Sequence, residues 1–227
     1  MAPVDLVIFD CDGVLVDSEV IACHAVAEAL QAIGHDMSAE SVADRFVGMS
    51  NKDMYAALEA EMGRPLPASF DADMNRRATA RFARELRAMP ELDVVLQRLT
   101  PAKCVASSST PEALSAKLRW AKLARWFENA SFSTAMVPRG KPAPDIFFYA
   151  ARQMCASIEK CLLIEDSAAG ITAAKAAGMT AFGVTGGSHC RAGHAARLTD
   201  AGADFVFSRM QDLPALLAQR KATLTTS

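Results

Sequence analysis

The run Val4-Asp5-Leu6-Val7-Ile8-Phe9-Asp10-Cys11-Asp12-Gly13-Val14 decides how this chain is read. Its mostly apolar stretch Val4–Phe9 stops at an aspartate, the pattern of a buried parallel strand that delivers a carboxylate to the C-terminal edge of a sheet. A second carboxylate, Asp12, follows two residues on, and Gly13 permits a sharp turn or the close approach of a ligand. Two carboxylates so spaced offer a nucleophile, a proton donor and much of a Mg2+ site. An Asp-x-x-Gly turn is also common in loops, so the pair takes its meaning from what lies downstream.

The 227 residues suffice for one large domain or a core with a smaller appendage, and 51% hydrophobic with 22% charged is an ordinary globular balance. A net charge of −2 gives no electrostatic reason to expect nucleic acid or an anionic membrane as a partner. No apolar stretch approaches the roughly 20 residues that span a bilayer. The first strand begins at Val4 without the basic region or cleavage site of a signal peptide. Cys11, Cys23, Cys104, Cys155, Cys161 and Cys190 form no C-x-x-C pair and sit mostly in apolar surroundings. That usage suits reduced thiols in a cytoplasmic protein. The expected state is a monomer or weak homodimer.

From residue 17 to residue 86 the pattern is helical. Ser18 is a candidate N-cap for a helix reaching Gly34, Ser38–Phe46 and Asn51–Met62 read as two more, and Ser69–Met89 reads as a fourth. From Pro90 the alternation becomes βα: a helix over Glu91–Leu99, a strand over Cys104–Ala106, and a helix from the Thr110-Pro111 cap to Trp120. A weak strand at Ala130–Ser133, a helix over Pro144–Met154, a strand over Cys161–Ile164 and a helix capped by Ser167 follow. Strands at Thr180–Val184 and Asp204–Phe207 and a helix over Leu213–Gln219 complete the pattern. Strands alternating with helices argue for an α/β doubly wound, mostly parallel, Rossmann-like sheet. Residues 1–16 and 87–227 would form its core, with residues 17–86 a helical insertion.

In such a sheet, ligands sit beyond the carboxyl ends of the strands. Four polar clusters fall there: Asp10 with Asp12, Ser107 in Ser107-Ser108-Ser109, Lys141 in Gly140-Lys141-Pro142, and Glu165 with Asp166. Singly, each also fits a turn serine, a solvated lysine or acids opening a helix. Together they supply acids for a divalent ion, a cation, a hydroxyl and a nucleophile, the inventory of phosphoryl transfer.

The runs Phe9–Ser18, Val105–Ser109, Gly140–Asp145 and Leu163–Ile171 resemble, in order, the four motifs of the haloacid dehalogenase superfamily. The likeness is greatest to the branch of β-phosphoglucomutase and small sugar-phosphate phosphatases, which inserts a helical cap after the first motif. The resemblance implies that Asp10 attacks phosphorus to form an aspartyl-phosphate, and that Asp12 protonates the leaving oxygen and then deprotonates water. It implies Mg2+ held by the Asp10 carboxylate, the Asp12 carbonyl and Asp166, with Glu165 in support. Ser107, Ser108 and Lys141 would bind the phosphate. Asp12 argues against dehalogenation, whose enzymes in this superfamily lack an aspartate there.

Mutases of the branch carry an arginine where Asn51 stands and a histidine where Ala22 stands. Lys52 and Arg45 are the remaining candidates to grip a second phosphate, and Arg45, Gly48, Asn51 and Lys52 form the expected specificity loop of the cap. The favoured reading is a Mg-dependent phosphatase of a small phosphorylated metabolite, a sugar phosphate or phosphorylated sugar acid. The alternatives are a phosphosugar mutase or a binding module on the same fold. His189, Cys190 and His194 read as a loop at the sheet's edge rather than a metal site. The arginines Arg76, Arg77, Arg81, Arg84 and Arg87 read mostly as a solvated helix face.

Overall fold

The computed structural model describes residues 4–225. It separates into two compact units, Met1–Asp17 with Arg87–Ser227 and, inserted between them, Ser18–Leu86.

The first unit is built on a parallel sheet of six strands. These are β1 (Leu6–Phe9), β2 (Ala102–Ser107), β3 (Ser131–Ser133), β4 (Cys161–Glu165), β5 (Thr180–Val184) and β6 (Phe205–Phe207), in the spatial order β3-β2-β1-β4-β5-β6. The order reverses direction at β1, so the crevice at a topological switch point opens beside the C-terminal end of that strand. All four residues of β1 are fully buried. Both sheet faces are covered, which is why β1 reads as a continuous apolar run rather than an alternating one. Leu6 and Ile8 face a core that includes Ile146, Phe147, Ile171 and Ala174. Phe9 points the other way, its ring edge-on to Phe127 at 6.2 Å.

The helical unit comprises α1 (Glu19–Ala32), α2 (Ala39–Phe46), α3 (Asn51–Met62) and α4 (Phe70–Glu85). Its own core gathers Val26, Leu30, Val42, Phe46, Leu58 and Phe70. Ser38 and Ser50 cap α2 and α3 by accepting from Ser41 N and Asp53 N. The rest of the first unit carries α5 (Leu92–Arg98), α6 (Pro111–Trp120), α7 (Asp145–Gln153), α8 (Ala168–Ala176), α9 (His194–Asp200) and α10 (Leu213–Thr225).

Four elements differ from expectation. The helix anticipated over Ser69–Met89 stops at Glu85, because Arg87–Met89 is recruited to extended pairing with the chain leaving β1. Met89 N donates to Leu15 O at 2.9 Å, and Val16 bridges Ala88 antiparallel. Pro90 favours this, since the residue before proline is pushed out of the α region. Strand β2 begins two residues earlier than Cys104, at a polar edge that Leu6 pairs in register with Ala102. Helix α9 had no forecast, and α10 runs past Gln219. Asp17 falls in the α/β unit, where its carboxylate accepts from Ser188 N and Oγ at 3.2 and 2.8 Å.

Candidate active site

Register carries three polar residues to one edge of the sheet. Phe9 pairs with Val105 of β2 and with Ile164 of β4, so Asp10, Ser107 and Glu165 come at the ends of neighbouring strands. Asp10 N donates to Ile164 O at 3.0 Å, which continues the ladder to the carboxylate-bearing residue itself. After Asp10 the chain folds tightly on itself, with Gly13 N donating to Val16 O and both Leu15 N and Val16 N donating to Cys11 O. Gly13 adopts φ +75°, and a Cβ there would stand 1.7 Å from Asp166 Oδ2. Only glycine fits both the backbone and the space.

Lys141 organises the acids. Its Nζ donates to Asp10 Oδ1 at 2.6 Å and to Glu165 Oε2 at 2.8 Å, with the lysine side chain 5% exposed. Its ring neighbour is Phe147, 5.5 Å from Nζ. The second Glu165 oxygen accepts from Ser167 N and Oγ, and Ser167 Oγ in turn caps α8 by accepting from Gly170 N at 3.0 Å. Glu165 is thus held in place by the lysine and the cap. A Cβ on Gly170 would lie 1.9 Å from Glu165 Oε2, so the first turn of α8 must pass the carboxylate bare.

Asp10, Glu165 and Asp166 are all buried, and one carboxylate oxygen from each lies within 4.8 Å of the others. Burial pushes the Asp10 carboxyl up to about 7, Glu165 and Asp12 add to the push, and Lys141 opposes it. Three crowded acids against one lysine leave the site short of positive charge, and hard carboxylate oxygens are the donors a small divalent cation takes. The residues present therefore fit Mg2+. Cys11, between the two aspartates, is buried, and desolvation pushes its thiol well above its ordinary range, which disfavours the thiolate.

The side chain of Asp12 has partners of its own. Its Oδ1 and Oδ2 accept from Lys117 Nζ at 2.6 and 2.7 Å, and Oδ2 also accepts from Ser109 Oγ at 3.0 Å. Ser107 is buried at the end of β2 and its Oγ accepts from Ser109 N at 3.1 Å. Ser108 is exposed in the turn that follows. Ser133, at the end of β3, steadies this turn by donating to Ser109 O at 2.6 Å. Neither Lys117 nor Ser109 was among the residues expected at the site.

His189 and His194 also belong here, not merely to an edge loop. His189 Nε2 lies 3.1 Å from Asp166 Oδ2, and His194 Nε2 lies 2.7 Å from Asp166 O. Burial holds the His194 imidazole below its ordinary range. The neutral ring then donates through Nε2 to the carbonyl and accepts at Nδ1 from Arg197 Nη2 at 3.0 Å. The available signal was positional: both follow β5, whose neighbour β4 ends in Glu165.

Arg45, Gly48, Asn51 and Lys52 lie in the helical unit. Arg45 is held there by Glu61 at 2.5 Å and stacks over Phe46 at 4.8 Å. Gly48 has φ +86°, and Asn51 and Lys52 are exposed at the start of α3. Of the arginines on α4, Arg77 pairs with Asp73 at 2.7 Å and Arg81 with Glu28 and Glu85. These ion pairs lie on a solvated face, where Arg76 and Arg84 are largely exposed.

A sequence model of haloacid dehalogenase-like hydrolases matches residues 4–178. The chain is 32% identical over 183 residues to the 6-phosphogluconate phosphatase of Escherichia coli, covering 80% of this chain and 83% of that protein. Among solved structures, a haloacid dehalogenase-like protein of unknown function from Agrobacterium tumefaciens superposes with a TM-score of 0.88 at 40% identity, covering 96% of this chain and 99% of that one. A hydrolase from Deinococcus radiodurans with bound phosphate and sodium superposes with a TM-score of 0.81 at 32% identity, covering 96% and 97%. Six parallel strands in this order, the acidic cluster at their C-terminal edge and these likenesses have one common account: the chain belongs to the haloacid dehalogenase-like hydrolase family.

Proposed function

We propose that this protein is a Mg2+-dependent phosphatase that hydrolyses a small phosphorylated sugar or sugar acid through an aspartyl-phosphate on Asp10. The observation that carries the reading is the Lys141 ammonium between Asp10 and Glu165, at 2.6 and 2.8 Å, beside the Asp166 carboxylate. Asp10 attacks phosphorus and expels the sugar oxygen. Lys141 lies on the carboxylate that must approach an anionic phosphoryl group, and it neutralises charge on both. Asp12 gives a proton to the departing oxygen, then takes one from the water that attacks the acyl-phosphate. Ser107 and Ser108 bind the transferring phosphoryl group. The Asp10 carboxylate, the Asp12 carbonyl and Asp166 would hold Mg2+, with Glu165 in support, and the ion supplies charge compensation and orientation for the phosphate.

Hydrolysis rather than transfer to a second hydroxyl is supported by Ala22 and Asn51, which stand where mutases carry a histidine and an arginine. Arg45, a candidate replacement, is engaged by Glu61 within its own unit. The likeness to 6-phosphogluconate phosphatase supports a phosphorylated sugar acid as the first substrate to try. Free thiols at all six cysteines support a cytoplasmic enzyme.

The test is phosphate release over a panel of sugar phosphates, phosphorylated sugar acids and nucleotides, with Mg2+. Beside it runs β-glucose 1-phosphate with catalytic glucose 1,6-bisphosphate. Fast release of inorganic phosphate from one monophosphate supports the reading. Glucose 6-phosphate accumulating faster than free phosphate overturns it in favour of a mutase.

A further inference from the structure

Helix α6 places Leu114, Lys117 and Leu118 on its buried face. A lysine on such a stripe is out of pattern, because a buried ammonium loses its hydration and must recover it from partners. Lys117 does so with its side chain only 11% exposed, donating to both oxygens of Asp12 at 2.6 and 2.7 Å and to Ser109 Oγ at 3.0 Å. Buried ion pairs are commonly no more stabilising than a well-packed apolar pair. Stability alone therefore gives no reason for lysine where leucine or methionine would pack.

The geometry supplies another reason. Asp12 lies past the end of β1, in the tight turn that closes at Val16, where an aspartate side chain has two free torsions. Lys117 and Ser109 bind it at three points: both oxygens by the ammonium and one of them again by the hydroxyl. Ser109 is itself fixed, its N donating to Ser107 Oγ and its carbonyl accepting from Ser133 Oγ. The tether joins residues 105 apart in sequence. It gives one defined orientation to a carboxylate that none of the Asp10–Lys141–Glu165 contacts constrains.

We propose that Lys117, assisted by Ser109, is a positioning residue that sets the orientation of the Asp12 carboxylate, and that proton delivery to the leaving oxygen depends on it. An Asp12 oxygen released by the ammonium takes a proton from solvent and hands it to the leaving oxygen, and the carboxylate so regenerated returns to Lys117. Lys117 acts through the Asp12 carboxylate that it binds. The inference rests on Asp12 being the proton carrier, and its test separates the two.

The parameter kcat/KM reports the steps through aspartyl-phosphate formation, and the need for a proton in that step rises with the basicity of the leaving group. The probes are 4-nitrophenyl phosphate, whose leaving group departs unprotonated, phenyl phosphate and glycerol 2-phosphate. Asp12→Ala is the reference and must lose kcat/KM selectively on the two poorer leaving groups. Lys117→Met should show the same selectivity: within about threefold of wild type on 4-nitrophenyl phosphate but down at least about 30-fold on glycerol 2-phosphate, a share of the 10²–10⁴-fold that positioned proton transfer supplies. Lys117→Arg should recover part of the loss, and Ser109→Ala should show a smaller loss in the same direction.

Equal losses on all three probes, or none, overturn the role of Lys117 when Asp12→Ala remains selective. An unselective Asp12→Ala overturns the reading of Asp12, and the inference falls with it. Should Lys117→Met fail to fold, Ser109→Ala decides, and an unselective result there overturns the tether.

Discussion

Lys141 Nζ lies 2.6 Å from Asp10 Oδ1, across 131 residues of sequence, and both side chains are almost wholly buried. The pair joins the end of β1 to the segment before α7, and Glu165 extends it to the end of β4. A single ammonium therefore stands between two acids that would otherwise repel each other at short range.

Removing that ammonium should be costly to the fold as well as to catalysis. Lys141→Met leaves Asp10 and Glu165 buried without their cation, and breaking one side of a buried ion pair costs about 3–5 kcal/mol. The expected outcome is a lower urea midpoint with unchanged m-value, together with loss of phosphatase activity. A midpoint equal to wild type would show that the lysine is not what holds the acids.

Asp10→Asn should separate activity from stability. An amide cannot form the acyl-phosphate, so turnover should vanish. The folded carboxyl titrates near 7 against an ordinary 3.8, so its ionised form costs the folded state nothing below about pH 4 and its full penalty above pH 7. Without metal, the variant should thus gain in melting temperature relative to wild type as pH rises from 4 to 7. Thermal melts across that range check the sign; a relative loss with rising pH contradicts it.

Mg2+ should relieve the same crowding. Chelation is expected to abolish phosphate release, and adding Mg2+ at 100 times its Kd should stabilise the fold by about 2.7 kcal/mol through mass action. The shift in melting temperature should disappear in Asp166→Asn, because that change removes the carboxylate that Asp10 and Glu165 share the site with. Retention of both shift and activity in the variant would remove Asp166 from the metal site.

The sequence made Asp10, Ser107, Lys141 and Glu165 easy to find because each follows an apolar run or stands in a loop where solvent-facing chemistry is unusual. The parallel, doubly wound class of the sheet was equally accessible, since helix–strand alternation leaves few topologies; the strand order was read only from the structure. What escaped was non-local. Lys117 reads as any helical lysine until Asp12 arrives from the other end of the unit. Ala88–Met89 continues a helical pattern and is converted to extended chain by pairing with Leu15–Val16. Helix α9 offers Leu198 as its one buried hydrophobe, with His194 completing its buried face, so no periodicity announces it. His189 meets Asp166 because Gly187 leaves room for the ring, a Cβ there lying 2.6 Å from the imidazole.

Gly13→Ala tests how tightly that slot is built. Two penalties apply at the position: a left-handed backbone at φ +75°, and a Cβ placed 1.7 Å from Asp166 Oδ2 and 2.9 Å from His189 Cε1. The backbone term alone is about 1–2 kcal/mol for an L-residue. Gly34 isolates it, because its φ is +79° and a Cβ there meets no atom within 4 Å. Gly34→Ala should therefore cost about 1 kcal/mol and leave activity intact. Gly13→Ala must in addition displace the Asp166 carboxylate or the imidazole behind it, and neither can retreat into a packed interior without strain. It should lose appreciably more stability than Gly34→Ala and should lose Mg2+-dependent phosphate release. Denaturant melts of the two variants, with activity measured over a Mg2+ titration, give the comparison. If Gly13→Ala matches Gly34→Ala in both, the carboxylate is free to move and the site is not held by the shape of its first turn.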